Sequence, residues 1–224
     1  SPFECDFLED SAYDVDACMW IGLVGTNGAN AVGKLLTGEY NPSGKTSDTF
    51  WEESKYNPVY YNFGSMQYGN ASVLSSDYFA TMGYQNHQYY VAYQEGIYNG
   101  YKYTETRYED YVLNRAKTGN FNYSDVVTYP FGYGLSYSTF EYSDMKVTEN
   151  AKNNTYTVTV DVTNTSKIDG KEAVQVYVQK PYTAKDITNG VEKASVELVG
   201  FTKVSVPAEK TVTATIEGEE KYFA

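Results

Sequence analysis

From about Tyr142 onward the chain alternates with a period of two, and that pattern leaves few folds open to it. Tyr156, Val158, Val160 and Val162 fall on one face, while Thr157, Thr159, Asp161 and Thr163 fall on the other. Val174, Val176 and Val178 repeat the pattern, followed by Val196 and Leu198, Val204 and Val206, and Val212, Ala214 and Ile216. Successive side chains of a strand point to opposite faces, so such runs are strands with one buried face. Valine and threonine also suit a pleated, half-buried surface. Polar turns such as Asn164 to Gly170 separate the runs. About five strands in succession predict an antiparallel β-sandwich of the immunoglobulin-like or fibronectin type III-like kind, which needs about seven. The last residues, Lys221-Tyr222-Phe223-Ala224, read as mid-strand, so the sandwich is expected to lack its last strand or two.

The residues before this region have a different organisation. Asp16 to Gly22 reads as a short buried sheet strand and Leu23 to Gly28 as a glycine-punctuated loop. A helix is expected over Ala29 to Thr37, with Val32, Leu35 and Leu36 on one face, Asn27 placed to cap its start and Gly38 placed at its end. Asn41-Pro42-Ser43-Gly44 is a turn. This is one α/β unit, and the rest of its sheet is expected upstream. From Glu52 to Tyr90 the periodicity is weak, and a long irregular excursion of this kind often carries binding function. Tyr89 to Tyr103 is aromatic, Glu105 to Lys117 reads as a short charged helix and Asn120 to Asp125 as a loop. The expected fold class is α+β and multidomain: a partial α/β unit over 1–135, then the sandwich over 136–224.

Charge and composition narrow the partners. A net charge of -12 over 224 residues repels phosphate backbones and anionic lipid, so neither nucleic acid nor membrane is expected as a partner. No apolar run is long enough to span a bilayer. The 25 tyrosines suit sugar stacking as well as strand and domain surfaces, with the structural role favoured at any one position. Cys5 and Cys18 give no disulfide framework; Cys18 is expected to be buried, and a bridge between the two stays open. His87 reads as a loop residue without a second histidine, so no metal site is expected, and no cofactor motif is present. The Leu23–Gly28 loop lacks a dinucleotide fingerprint, and Gly33-Lys34-Leu35 does not end a P-loop. That leaves a domain-contact or sugar-facing loop containing Asn27. Glu95, set among glycine and aromatics, is either a sugar-hydroxyl acceptor or, as favoured, a structural carboxylate paired with Lys102 or Arg107. Glu95, Tyr98 and Asn27 are the candidate substrate contacts. The start, Ser1-Pro2-Phe3-Glu4, carries neither an initiator Met nor a basic-then-apolar leader and reads as a cut inside a longer protein.

Four stretches, in order, carry a family resemblance. Tyr129-Pro130-Phe131-Gly132-Tyr133-Gly134-Leu135-Ser136-Tyr137-Ser138-Thr139-Phe140 resembles the signature that joins the α/β-sandwich domain to the fibronectin type III-like domain in glycoside hydrolase family 3. Gly38 to Lys45, Glu95 to Tyr103 and Leu198 to Val204 are similar to three further family motifs. The resemblance implies part of the α/β-sandwich domain, then the fibronectin-like domain, with Tyr129, Pro130, Phe131, Gly132, Tyr133 and Gly134 as a structural interdomain hinge. It implies a β-glucosidase-type parent acting on a β-glucoside or oligosaccharide by a retaining mechanism. Its two carboxylates would be an Asp in a (β/α)8 barrel and a Glu in a Gly-Glu-Gly-like loop, neither of which matches this chain. No catalytic residue is therefore assigned here, and the missing barrel is the implied partner. The run Ser43 to Thr49 is closer to a subgroup in which the barrel follows the sandwich. An open sheet edge is also expected to favour self-association. The alternative is a stand-alone carbohydrate-binding or structural module.

Overall fold

The computed structural model describes residues 3–8, 10–63, 66–69, 89–115 and 118–223, with the backbone alone at 6, 222 and 223. His87 and most of the later half of the irregular excursion lie outside these residues. Helix α1 (Gly25–Leu36) opens the regular structure. It starts four residues earlier than expected, so Asn27 is an exposed residue of its first turn and not its cap, a place held by Val24. Gly38 closes the helix with φ +76, the left-handed conformation that glycine adopts without strain. The strand expected over Asp16 to Gly22 does not form, and its Trp20 is 55% exposed. A buried parallel strand needs ladder partners beside it, and among the described residues none pairs with it. Cys18 is accordingly exposed; Cys5 is the buried cysteine, and no disulfide joins the two.

The rest of this half is held by short pairings. β1 (Phe50–Trp51) runs antiparallel to β4 (Val127–Tyr129), and β2 (Met66–Gln67) to β3 (Tyr89–Tyr90). Tight turns at Ser54–Tyr56 and Tyr60–Asn62 fill much of the described part of the excursion. Helix α2 (Tyr101–Val112) starts four residues before the expected helix and ends before Lys117. Gly100, at φ +52, makes the sharp entry. A small core of Trp51, Phe121, Val126 and Val127, with Tyr56 and Tyr123 against it, holds these pieces together.

The second half is the sandwich. β5 (Phe140–Asn150), β6 (Thr155–Asn164) and β9 (Thr211–Glu219) form one antiparallel sheet in the order β5-β6-β9. β7 (Gly170–Gln179) and β8 (Val196–Val206) form the other. The period-two pattern of the sequence sets the register: Val158, Val160 and Val162 face Ile216, Ala214 and Val212 in turn. Val160, Val162, Val174, Val206, Ala214 and Ile216 make a core separate from the first. Asn164, fully buried, anchors one corner by donating to the carbonyls of Ile168 and Val206 while accepting from Ser166, so its amide is satisfied. Between β7 and β8 lies helix α3 (Ala184–Asn189), opened by a Thr183–Asp186 capping box. The residues after β9, expected in mid-strand, instead form a final helical turn, α4 (Glu220–Phe223).

One side of the sandwich is thinly covered. Tyr142 pairs with Val162 and Val147 with Val158, which places both on the core side of β5. Even so they remain 50% and 55% exposed, because the facing sheet has two strands against three.

Between the halves the chain passes through Pro130 to Ser138, where Gly134 is the tightest point. A Cβ at Gly134 would stand 2.1 Å from the Gly44 carbonyl oxygen, whereas a Cβ at Gly44 would meet open space. Gly134→Ala is expected to lower stability by about 1–3 kcal/mol in urea unfolding. Gly44→Ala is expected to stay within about 0.5 kcal/mol of the parent.

Candidate functional site

The turn at 41–46 and the elbow at 129–138 are joined by hydrogen bonds between residues far apart in the chain. Thr46 donates its backbone N–H to the Tyr133 carbonyl at 2.7 Å and accepts from the Gly132 N–H at 2.8 Å. Its hydroxyl donates to the Pro130 carbonyl at 2.7 Å and accepts from the Tyr133 N–H at 3.0 Å. Asn41 Oδ1 accepts from Ser136 Oγ and from the Tyr137 N–H, both at 2.8 Å. Asn41 Nδ2 donates to Ser138 Oγ and, beyond the elbow, to the Asp169 carbonyl. Tyr137 donates its hydroxyl to the Leu35 carbonyl at 2.9 Å, an acceptor at the end of α1 that also takes the Gly38 N–H at 3.2 Å. The Pro130 and Gly132 positions fix this shape. Gly132 has φ +81, and a Cβ there would come within 2.4 Å of Gln175 Oε1 on β7.

The elbow's aromatic rings alternate between the two halves. Tyr129 and Tyr133 stack at 5.0 Å, and Tyr129 meets Phe50 edge-on, with Trp20 and Phe3 beyond. Phe131 points the other way. It stacks on Tyr101 of α2 at 4.5 Å and meets Tyr177 of β7 edge-on. Helix α2 is bound to the sandwich along its length. The Tyr101 hydroxyl accepts from the Leu198 N–H, Thr106 Oγ1 accepts from the Ser195 N–H, and Lys102 pairs with Glu197 at 2.6 Å.

Two carboxylates are drawn into this seam. Glu172, 7% exposed, pairs with Lys45 at 3.2 Å and accepts from the Tyr142 hydroxyl at 2.8 Å, so it ties the turn, β5 and β7 together. Glu105 on α2 accepts from the Tyr123 hydroxyl and has no cation among its described partners. Burial pushes its carboxyl above the usual carboxylate range, and the hydrogen bond from Tyr123 only partly offsets this. The same burial, reinforced by Glu105, raises the Tyr123 phenol.

The substrate contacts expected from the sequence do not converge. Glu95 and Tyr98 share one turn, in which the Tyr98 N–H donates to the Glu95 carbonyl. Glu95 is not paired with Lys102 or Arg107. Gly96 and Gly100 turn the chain so that Lys102 faces Glu197 on β8. Arg107 instead binds the Tyr103 hydroxyl and the Thr118 carbonyl, and it lies over the Phe121 ring. Glu95 Oε2 is buried with no hydrogen-bond partner. The Tyr98 hydroxyl is committed to Glu192 and the Lys193 carbonyl. Asn27 is exposed on α1, and among the described residues no hydrogen bond joins it to either. Glu105 was not singled out in the sequence, because a carboxylate in a charged helix reads as solvated; only Tyr123, 18 residues on, buries it.

Comparison with known proteins gives matches to both halves. Residues 4–101 match the model of the glycosyl hydrolase family 3 C-terminal domain, and residues 172–224 match that of the fibronectin type III-like domain. Thermostable beta-glucosidase B of Acetivibrio thermocellus is 34% identical over 84% of this chain and 20% of its own length. An exo-alpha-(1->6)-L-arabinopyranosidase of Bifidobacterium longum is 34% identical over 90% of this chain and 21% of its own length. Among solved structures, the Bifidobacterium adolescentis GH3 beta-glucosidase aligns with a TM-score of 0.61 at 30% identity, over 88% of this chain and 23% of that one. Beta-glucosidase 3B of Thermotoga neapolitana aligns at 0.57 and 29%, over 84% and 20%. The chain thus spans about a fifth of the length of the curated relatives it matches.

Two measurements check the seam. Lys45→Met leaves Glu172 buried without its cation and is expected to cost about 3 kcal/mol in urea unfolding. Lys45→Met/Glu172→Gln, which keeps an acceptor for Tyr142, is expected to recover most of that loss. For Glu105 the folded carboxyl holds its proton more tightly than the unfolded one, whose ordinary value is 4.5. The stability this contributes is present in full below that value and is lost as pH rises through the raised folded value. Relative to Glu105→Gln, the parent is therefore expected to lose stability as pH rises above 4.5 and then to level off once the folded carboxyl has ionised, as read from unfolding midpoints.

Proposed function

The chain belongs to glycoside hydrolase family 3, and on that premise we infer that it is the non-catalytic portion of an enzyme that hydrolyses terminal β-D-glucosyl or related β-glycosyl residues with retention. The seam carries this reading. The fold joins the four family motifs in two pairs by hydrogen bonds, the turn at 41–46 to the elbow at 129–138 and Tyr101 to Leu198, and these set the α/β half against the sandwich. A retaining mechanism needs two carboxylates about 5–5.5 Å apart, one a nucleophile and the other an acid/base. Neither family motif for that pair matches this chain, and three carboxylates of the seam bond within it: Glu172 to Lys45, Glu197 to Lys102 and Lys180, Glu105 to Tyr123. The catalytic pair is therefore assigned to the remainder of the protein, in a (β/α)8 barrel and an upstream loop. The likeness of the Ser43 to Thr49 run to one subgroup favours a barrel that follows residue 224.

Relatives named as a glucosidase and as an arabinopyranosidase share this segment at the same 34% identity. That supports a scaffold role, with the sugar chosen elsewhere. Of the three residues first considered as substrate contacts, Glu95 has the best claim, because its buried Oε2 is an acceptor without a donor. Tyr98 has committed its hydroxyl, and Asn27 lies in solvent. The boundary between the two units is drawn at 135/136, in the elbow.

A second reading of partners rests on the thin side of the sandwich. Among the described residues no backbone hydrogen bond reaches the second edge of β5 or of β7. Tyr142 and Val147 stand half-exposed on the core face beside them. Further strands would complete the sandwich there, and a second copy would take their place in this chain alone.

The chain alone is expected to leave an aryl β-glucoside unhydrolysed above the buffer rate, while the longer protein containing it releases β-glucose as the first product, seen by NMR of the anomeric proton. Turnover by the chain alone, abolished in Glu95→Gln, would place catalysis here and end the proposal. For the edge, Val147→Lys is expected to reduce self-association of the chain in sedimentation velocity, and a parent that stays monomeric across the same concentrations would contradict it.

A further inference from the structure

The elbow also forms one wall of a cleft that the scaffold role does not use. Helix α2, the elbow and the β7–β8 sheet border an open groove of about 490 Å³, within the range of ligand pockets. Five aromatic rings line it, from Tyr101, Tyr108, Tyr123, Phe131 and Tyr177, with Glu105 as the acidic group among them. The rings differ in availability. Tyr101 and Phe131 are stacked on each other, and Tyr123 meets Tyr108 edge-on. Tyr108 and Tyr177 are the exposed rings of the wall. The Glu105 carboxylate takes one hydrogen bond, from Tyr123, and the cations of its own helix turn away: Lys102 to Glu197, Arg107 to Tyr103 and Phe121. The Tyr177 phenol is pushed up to about 12, by burial first and then by Tyr101 and Glu105, so it stays a neutral hydroxyl.

We propose that this cleft is a second carbohydrate subsite, which takes one neutral pyranose ring against Tyr108 and Tyr177 with a sugar hydroxyl donating to Glu105. Ring faces beside a poorly solvated acceptor fit the chemistry of a sugar, whose C–H face is apolar and whose rim is made of hydroxyls. An alkylammonium cage needs several ring faces turned on one point within about 6 Å. Here the rings are largely paired with one another. A hydroxyl can donate to the carboxylate or accept from the carboxylic acid, so the site keeps its partner in either protonation state. The inference stands apart from the hydrolase reading, since nothing in it requires the catalytic pair.

The test is a titration of the ¹⁵N-labelled chain with methyl β-D-glucopyranoside and with cellotriose, followed by NMR and repeated by calorimetry. Saturable binding in the millimolar range is expected, with the largest shifts at Tyr108, Tyr177 and their neighbours. Tyr108→Ala, whose exposed ring is not needed for the core, is expected to weaken binding about fivefold. Glu105→Gln keeps an acceptor for Tyr123 and is expected to weaken it by a similar factor, with unchanged far-ultraviolet circular dichroism. Absence of saturation with both sugars overturns the proposal. So does binding that persists unchanged in folded Tyr108→Ala and Glu105→Gln, or tighter binding of tetramethylammonium than of either sugar. None of these results bears on whether the longer protein is a hydrolase.

Discussion

Thr46 and Asn41 hold the turn at 41–46 to the elbow. Through backbone and side chain, these two residues bind the elbow from Pro130 to Ser138, and Asn41 reaches past it to Asp169 in the sandwich. Each neutral hydrogen bond is worth only about 1 kcal/mol net. Their effect is geometric: donors and acceptors that would be orphaned if the turn moved are all satisfied in one arrangement. The proline and glycines of the elbow make that arrangement accessible, since a side chain at Gly132 or Gly134 would strike Gln175 or the Gly44 carbonyl.

On either side of this joint lie two cores that do not merge. One is aliphatic, closed by valines from both sheets; the other is built around Trp51 and Phe121. The seam between them is aromatic and polar. Aromatic pairs contribute area together with preferred ring angles, so Phe131 between Tyr101 and Tyr177 sets orientation as well as contact. Helix α2 acts as a strut, packed through Arg107 on the first core and through Tyr101, Lys102 and Thr106 on β8.

The seam keeps its two carboxylates, Glu172 buried and Glu105 partly so, in opposite ways. Glu172 is paired with Lys45, and a buried ion pair of this kind fixes position more than it adds stability. Glu105 has a phenol for a partner, and burial makes its proton harder to remove. The first suits a joint that should not move. The second leaves acceptor capacity at the edge of an aromatic cleft, a combination that structural need alone does not require.

The sequence determined the inward faces of β6, β7 and β9, because a period of two can be satisfied by one side of a sheet only, whereas the bulge in β8 turns Val196 and Leu198 outward beside Gln179 and Tyr177. It also marked the elbow and the turn at 41–46, whose prolines and glycines restrict backbone angles locally. The tertiary structure decided the rest. The apolar run at 16–22 is no strand without neighbours to bond it, and Cys18 is exposed with it. The partners of Glu95, Lys102 and Arg107 depended on where two glycines turned the chain. The burial of Glu105 depended on Tyr123 folding back over α2. Strand faces are set by neighbouring residues in the chain, while charge partners and burial are set by residues far along it, and only packing brings those together.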